Sequence, residues 1–168
     1  MNSCATLLTA FLLIAACAPE SKLSEELFAG YYEPYEITLS EPALSSEPLL
    51  QEAHAAYQQG DYALAHRELA YFTDEVRRLP LPMLAQAICA IELDSLGEAE
   101  LLLEILMNHP EVGPDAVWYR ALTSVKRDRL AEAASLLEER LLYGSEIYVP
   151  STVRERQARA LIDAIRRG

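Results

Sequence analysis

Apolar positions along this chain recur with a step of 34. Leu49, Met83 and Val117 share one phase, Ala53, Ala87 and Ala121 a second, and Tyr57, Ile91 and Val125 a third. Tyr62, Leu96 and Leu130, then Ala65, Ala99 and Ala133, then Leu69, Leu103 and Leu137, carry the register on without an insertion. The paired alanines predict helix hairpins, because a small residue on each of two antiparallel helices lets them approach closely where they cross. Helices are expected near 47–59 and 61–76, 82–93 and 95–108, and 114–127 and 129–142. Between the helices of each pair lie Gly60-Asp61, Asp94-Ser95 and Asp128, which predict turns. The side-chain oxygens of Asp61, Ser95 and Asp128 could accept from the open backbone donors of the second helices, and Ser95 with Glu98 has capping-box spacing. Pro80 and Pro82, then Pro110 and Pro114, are expected to separate one pair from the next.

Over residues 49–142 the chain resembles three tetratricopeptide (TPR) repeats, at about 47–80, 81–114 and 115–148. The run Tyr57-Gln58-Gln59-Gly60-Asp61-Tyr62-Ala63-Leu64-Ala65 is similar to that family's most recognisable passage. Phe72 and Arg140 depart from the family's pattern by replacing a usual small residue of the second helix, and Glu52 by replacing a usual leucine of the first. The resemblance implies an all-α fold, a TPR-like α-solenoid of three helix hairpins, for residues 47–168. About three stacked units and a cap are needed to bury such an array. The cap is expected at 150–167, with Val153, Ala160, Leu161, Ala164 and Ile165 facing inward and Arg154, Glu155, Arg159, Arg166 and Arg167 solvated. In this family the first helices line a concave groove. Here that places Leu50, His54 and Tyr57, then Leu84, Ile88 and Ile91, then Trp118, Leu122 and Val125, in a candidate groove for a protein or peptide partner. Gln58, Glu92 and Lys126 would stand beside them. The alternative is that these apolar side chains fill the interior. The Lys and Asn set with which some family members hold a terminal carboxylate is missing from the matching places.

Residues 5–16 are uncharged and almost wholly apolar, yet too short to cross a bilayer core, which takes about 20 residues. Residues 1–16 therefore read as a signal peptide. Leu13-Ile14-Ala15-Ala16-Cys17 resembles the lipobox of bacterial lipoproteins. That implies acylation of Cys17 and lipid anchoring in a bacterial cell envelope, in either its inner or its outer membrane. Met1-Asn2-Ser3-Cys4 lacks the basic lead of such signals, as a misplaced start codon would explain, and an ordinary secretory signal is the alternative. With Cys4 removed and Cys17 acylated, Cys89 has no disulfide partner and reads as a small apolar residue of a helix interior. Residues 17–46 form an acidic linker, for which an extended, hydrated chain is expected. Leu27-Phe28, Tyr31-Tyr32-Glu33-Pro34-Tyr35 and Ile37 break its polarity, and residues 28–37 are expected to fold back onto the groove, covering apolar surface that a monomer seldom leaves bare.

The net charge of −12 opposes binding to nucleic acid. No phosphate-binding glycine loop, nucleophile elbow, His-Glu-x-x-His helix or cysteine pair is present. His54 and His66 could meet across the first hairpin, but two ligands without a third make a poor metal site, so neither metal nor cofactor is expected. These features point to a non-enzymatic, membrane-anchored interaction or assembly scaffold. A permanent structural subunit of an envelope complex is the alternative reading, and an enzyme subunit a further one.

Overall fold

The alanines of the 34-residue register lie on helices that pack against one another in pairs. Ala53, Ala65, Ala87, Ala99, Ala121 and Ala133 are all fully buried. The computed structural model describes residues 22–37, 48–73, 79–143 and 150–168, and among these the regular structure is helical with no strand. Helix α1 (Lys22–Tyr31) leads into an extended segment ending at Ile37. Three pairs follow: α2 (Pro48–Gln58) with α3 (Tyr62–Ala70), α4 (Pro80–Glu92) with α5 (Leu96–Leu106), and α6 (Gly113–Lys126) with α7 (Leu130–Leu136). The last of these continues as a π-helical turn over Leu137–Leu142, and α8 (Thr152–Arg167) ends the chain. From α2 to α7 each helix packs against the next, while α1 and α8 lie against α6 and against each other. The expected signal peptide and Cys17 lie outside the described residues.

The turns inside the three pairs are copies of one another. Gly60, Asp94 and Asp128 stand one period apart and take left-handed φ values of 75°, 59° and 58°. The next backbone N–H then reaches back five residues, from Asp61 to the Ala56 carbonyl at 2.9 Å, from Ser95 to Ala90 at 2.8 Å, and from Arg129 to Ser124 at 2.8 Å. This closure satisfies helix-end carbonyls that would otherwise go unpaired. Glycine enters that region freely and aspartate more easily than most residues.

Of the three expected caps, only one forms. Asp61 accepts from the Leu64 N–H at 3.1 Å. Ser95 makes no capping bond, and its capping-box partner Glu98 turns to His66 at 3.0 Å instead. Asp128 occupies the left-handed position before the cap, which Arg129 fills, and it accepts from the Ser24 hydroxyl. Pro80 and Pro114, expected as separators, sit in the first turns of α4 and α6. A first-turn N–H has no partner within its helix, so proline loses nothing there.

Three further differences have local causes. Residues 22–31, expected to be extended and hydrated, form α1, because Leu23, Leu27 and Phe28 make one apolar stripe while Glu25 and Glu26 stay exposed. Helix α8 buries Ala158, Leu161 and Ile162, whereas Val153 is 57% exposed. Leu161, Ala164 and Ile165 face the core as expected, Ala160 is exposed instead, and Arg154 is drawn in rather than solvated. Phe72 and Arg140, the departures from small residues, fall where regular α-helix stops: Phe72 is fully buried just past α3, and Arg140 lies in the π turn, bonding Asn108 at 2.6 Å.

Electrostatics ties the middle of the fold together. Glu100 on α5 is half-buried and receives Arg127 at 2.7 Å, Arg120 at 3.3 Å, and Arg129. Burial pushes the neighbouring Glu132 carboxyl up, but hydrogen bonding and attraction from Arg120, with Arg129, outweigh it and hold the group below its usual value.

Candidate functional site

The nine expected groove residues all lie on α2, α4 and α6, and all are wholly or partly buried. Leu84, Ile88, Ile91, Leu122 and Val125 are completely buried, Leu50, Tyr57 and Trp118 nearly so, and His54 partly. They do not form an open groove. Against the first helices lie α1, on α6, and the extended residues 32–37, here called the strap.

The strap makes polar contacts to all three first helices, through its main chain to α2 and α6 and through the Tyr32 side chain to α4. Tyr119 on α6 donates its hydroxyl to the Glu33 carbonyl at 2.7 Å, and Tyr57 on α2 donates to the Tyr35 carbonyl at 2.7 Å. His54 lies 3.0 Å from the Ile37 carbonyl through Nε2. A carbonyl can only accept, so this contact is a hydrogen bond in the tautomer with hydrogen on Nε2, a nitrogen that the Gln58 side-chain amide also approaches, at 3.2 Å. Carbonyls 33, 35 and 37 are thus engaged at alternate residues, which in an extended chain share one side. Burial pushes the phenols of Tyr57 and Tyr119 well above their ordinary pKa, so both remain protonated donors. Tyr32 donates to Glu92 on α4 at 2.9 Å, and burial followed by that carboxylate pushes its phenol up as well.

Aromatic packing sets the rest of the register. Tyr32 and Tyr35 both meet Tyr119 edge to face, with centroids at 6.1 and 6.2 Å, and Tyr31 meets Trp118 at 6.4 Å, within the range where such pairs add to burial. Lys126 lies over the Phe28 ring at 5.2 Å, and Phe28 stacks on Tyr32. Ile37 enters a cleft lined by Ala53, Tyr57, Leu69, Leu81, Pro82 and Ala85. Only about 10 Å³ stays open there, no more than the space of a single water molecule.

Beside the strap, Arg154 of α8 stacks on Trp118 at 5.1 Å and pairs with Asp115. A cleft of about 400 Å³ opens there between the strap, α6 and α8. It is lined by Glu33, Glu36 and Ser151 and by Arg154 and Asp115, which are paired with each other. His66, bound to Glu98, and His54, bound to the strap, are not brought together. Cys89 lies in the core, where burial pushes its thiol up to about 12. Among the described residues no cluster of His, Cys, Asp and Glu could hold a metal ion, and no helix is long and apolar enough to cross a membrane.

Tyr119 and Arg154 carry much of this site, and the repeat register does not mark them. Tyr119 occupies the phase of Ala85 and Gln51, so its role appears in one unit only. No protein-family model matches the sequence, and no curated protein or solved structure matches it.

Proposed function

We propose that this chain is a short TPR-like array, exported and acylated at Cys17, that works in a bacterial envelope as a non-enzymatic protein-binding or assembly module. The solenoid reading is supported by the buried alanine pairs and by the three turns of one geometry at a 34-residue spacing. Export and anchoring are supported by the apolar run over 5–16 and the lipobox-like residues up to Cys17. The observation that carries the binding reading is the strap: an extended stretch of polypeptide seated on α2, α4 and α6, with its main-chain carbonyls held by side-chain donors. A surface that holds one extended segment by its backbone has the chemistry to hold another.

The test is affinity capture of the lipidated protein from detergent-solubilised envelopes, comparing wild type with a Tyr57→Phe, Tyr119→Phe chain by quantitative mass spectrometry. The expected result is an envelope protein enriched by wild type and depleted with the variant. Equal enrichment by both chains would remove the groove from the function.

One observation favours the second reading, a permanent structural subunit. The face is already filled, and Leu101 and Ile105 on α5 are 70% and 53% exposed. Capture that depends on those two residues and ignores Tyr57 and Tyr119 would select it.

A further inference from the structure

We propose that residues 32–37 are an exchangeable strap: the face of α2, α4 and α6 is a site for an extended, aromatic-bearing peptide segment of a partner, and the chain's own strap occupies it until that segment displaces it. The inference rests on the interaction-module reading and specifies the partner's chemistry.

The contacts define what the site recognises. Three donors, from Tyr119, Tyr57 and His54, meet the carbonyls of residues 33, 35 and 37. Bonds of this kind read the backbone, so any extended segment presenting carbonyls at the same alternation satisfies them. An amphipathic helix does not, because its interior carbonyls are spent on its own N–H groups. An occupant that excludes water from the hydroxyls of Tyr57 and Tyr119 without offering acceptors would leave them buried and unpaired, a state that folded proteins avoid. The occupant must therefore bring acceptors. It must also bring an aromatic ring to pack edge to face on Tyr119, as Tyr32 and Tyr35 do, and an aliphatic side chain for the cleft that Ile37 fills.

The strap is suited to leave. Glu33, Pro34 and Glu36 are exposed while Tyr32 and Tyr35 are only half-buried, in contrast to the completely buried residues beneath them. Its contacts with α2, α4 and α6 come from side chains, and Tyr32 is fastened to Glu92 by an exposed bond. A competitor offering the same carbonyls and rings can therefore replace it contact by contact, without breaking a helix.

The experiment uses the full chain and a fluorescein-labelled synthetic peptide with the sequence of residues 28–37. Two variants loosen the strap and leave the face intact: Tyr35→Ala, and Tyr35→Ala with Ile37→Asp. Both are expected to keep the helical circular dichroism of wild type and to bind the peptide at least tenfold more tightly than wild type does. Adding Tyr57→Phe and Tyr119→Phe should then cost at least tenfold. Folded variants that bind no more tightly than wild type would overturn the proposal, and so would loss of the helical signal in both, since either result makes the strap a fixed part of the core. Capture of one envelope partner equally by wild type and loosened chains would sink the strap while leaving the interaction reading intact. Tight peptide binding with no envelope partner captured by any chain would do the reverse.

Discussion

Replacing Ala87 or Ala99 by leucine tests whether the 34-residue register marks helix crossings. Both alanines are completely buried, on α4 and α5, which pack against each other. Leucine adds three heavy atoms where no surface is open to water, and overpacking of this kind costs about 1–3 kcal/mol. For a chain of this size each kcal/mol moves the melting midpoint by about 2–4 °C, so a fall of about 2–12 °C is expected by circular dichroism for either variant. The sharper readout is the double variant. If the two positions face each other at one crossing, the second leucine enters a gap that the first has already widened, and the costs depart from additivity by about 0.5 kcal/mol or more. Leu101→Ala serves as control: its side chain is 70% exposed, and the midpoint should hold within about 0.5 kcal/mol. Unchanged midpoints for both single variants would refute the register. Losses that add to within about 0.3 kcal/mol would refute the shared crossing.

Two glycines should respond in opposite directions. Gly60 has φ of 75° with nothing near the position of an added Cβ, so Gly60→Ala carries only the backbone cost of about 1–2 kcal/mol. Gly97 lies inside α5 with equally open space, so Gly97→Ala should stabilise by about 0.5 kcal/mol; chemical denaturation of both decides, and equal signs would contradict the turn geometry. Cys89, in a chain with Cys4→Ser and Cys17→Ser, should react with a thiol reagent only as fast as the fold opens. Burial raises its pKa from 9.0 to about 12, so the fold favours the protonated thiol. That contribution is complete below pH 9 and lost as pH rises toward 12, and Cys89→Ala should flatten the alkaline limb of the stability profile. Labelling of the native chain at the rate of a free thiol would refute the burial.

What the sequence made legible was whatever repeats. Six alanines at two phases can be compared with one another, and their burial follows from the same contact made three times. The turns were located for the same reason, yet their chemistry was misassigned: position 128 reads as a cap because aspartate caps helices, whereas its left-handed φ of 58° puts the cap one residue later. Features that occur once had no such comparison. Helix α1 hides in an acidic stretch, since its stripe of Leu23, Leu27 and Phe28 is outnumbered by polar residues until the face it covers is known. That this segment would return to the first helices could be argued from its aromatic residues. That it would be held by its carbonyls could not, because the donors Tyr119 and Tyr57 sit at unrelated phases of the repeat. Arg154 looked solvated because charge usually is, and it is drawn inward by two partners from α6, Asp115 and the face of Trp118.

The proposed anchor and the strap belong to one stretch of chain, and this has a geometric consequence. Lys22 begins α1 five residues after Cys17, and five extended residues reach at most about 18 Å. With Cys17 acylated, α1 is held at the headgroups. The end of α8 is held with it, because Gly168 packs against the Leu23 side chain. Lys22 and Arg167 are exposed at that end, beside Arg166, which pairs with Glu138; near an anionic surface an exposed cation is worth about 1 kcal/mol, so the end of α8 is expected to stand close to the headgroups. Replacing Cys17 by Ser should move the protein from the membrane fraction to the soluble one and abolish palmitate labelling. In acylated chains carrying Cys89→Ala, a fluorophore at Asp163→Cys, exposed on α8, should be quenched by headgroup-linked quenchers more strongly than one at Arg67→Cys. Arg67 lies on α3, which packs with α2 and α4 at the far end of the helix series. Equal quenching at the two positions would refute the orientation, and palmitate labelling that survives Cys17→Ser would refute the anchor on which it rests.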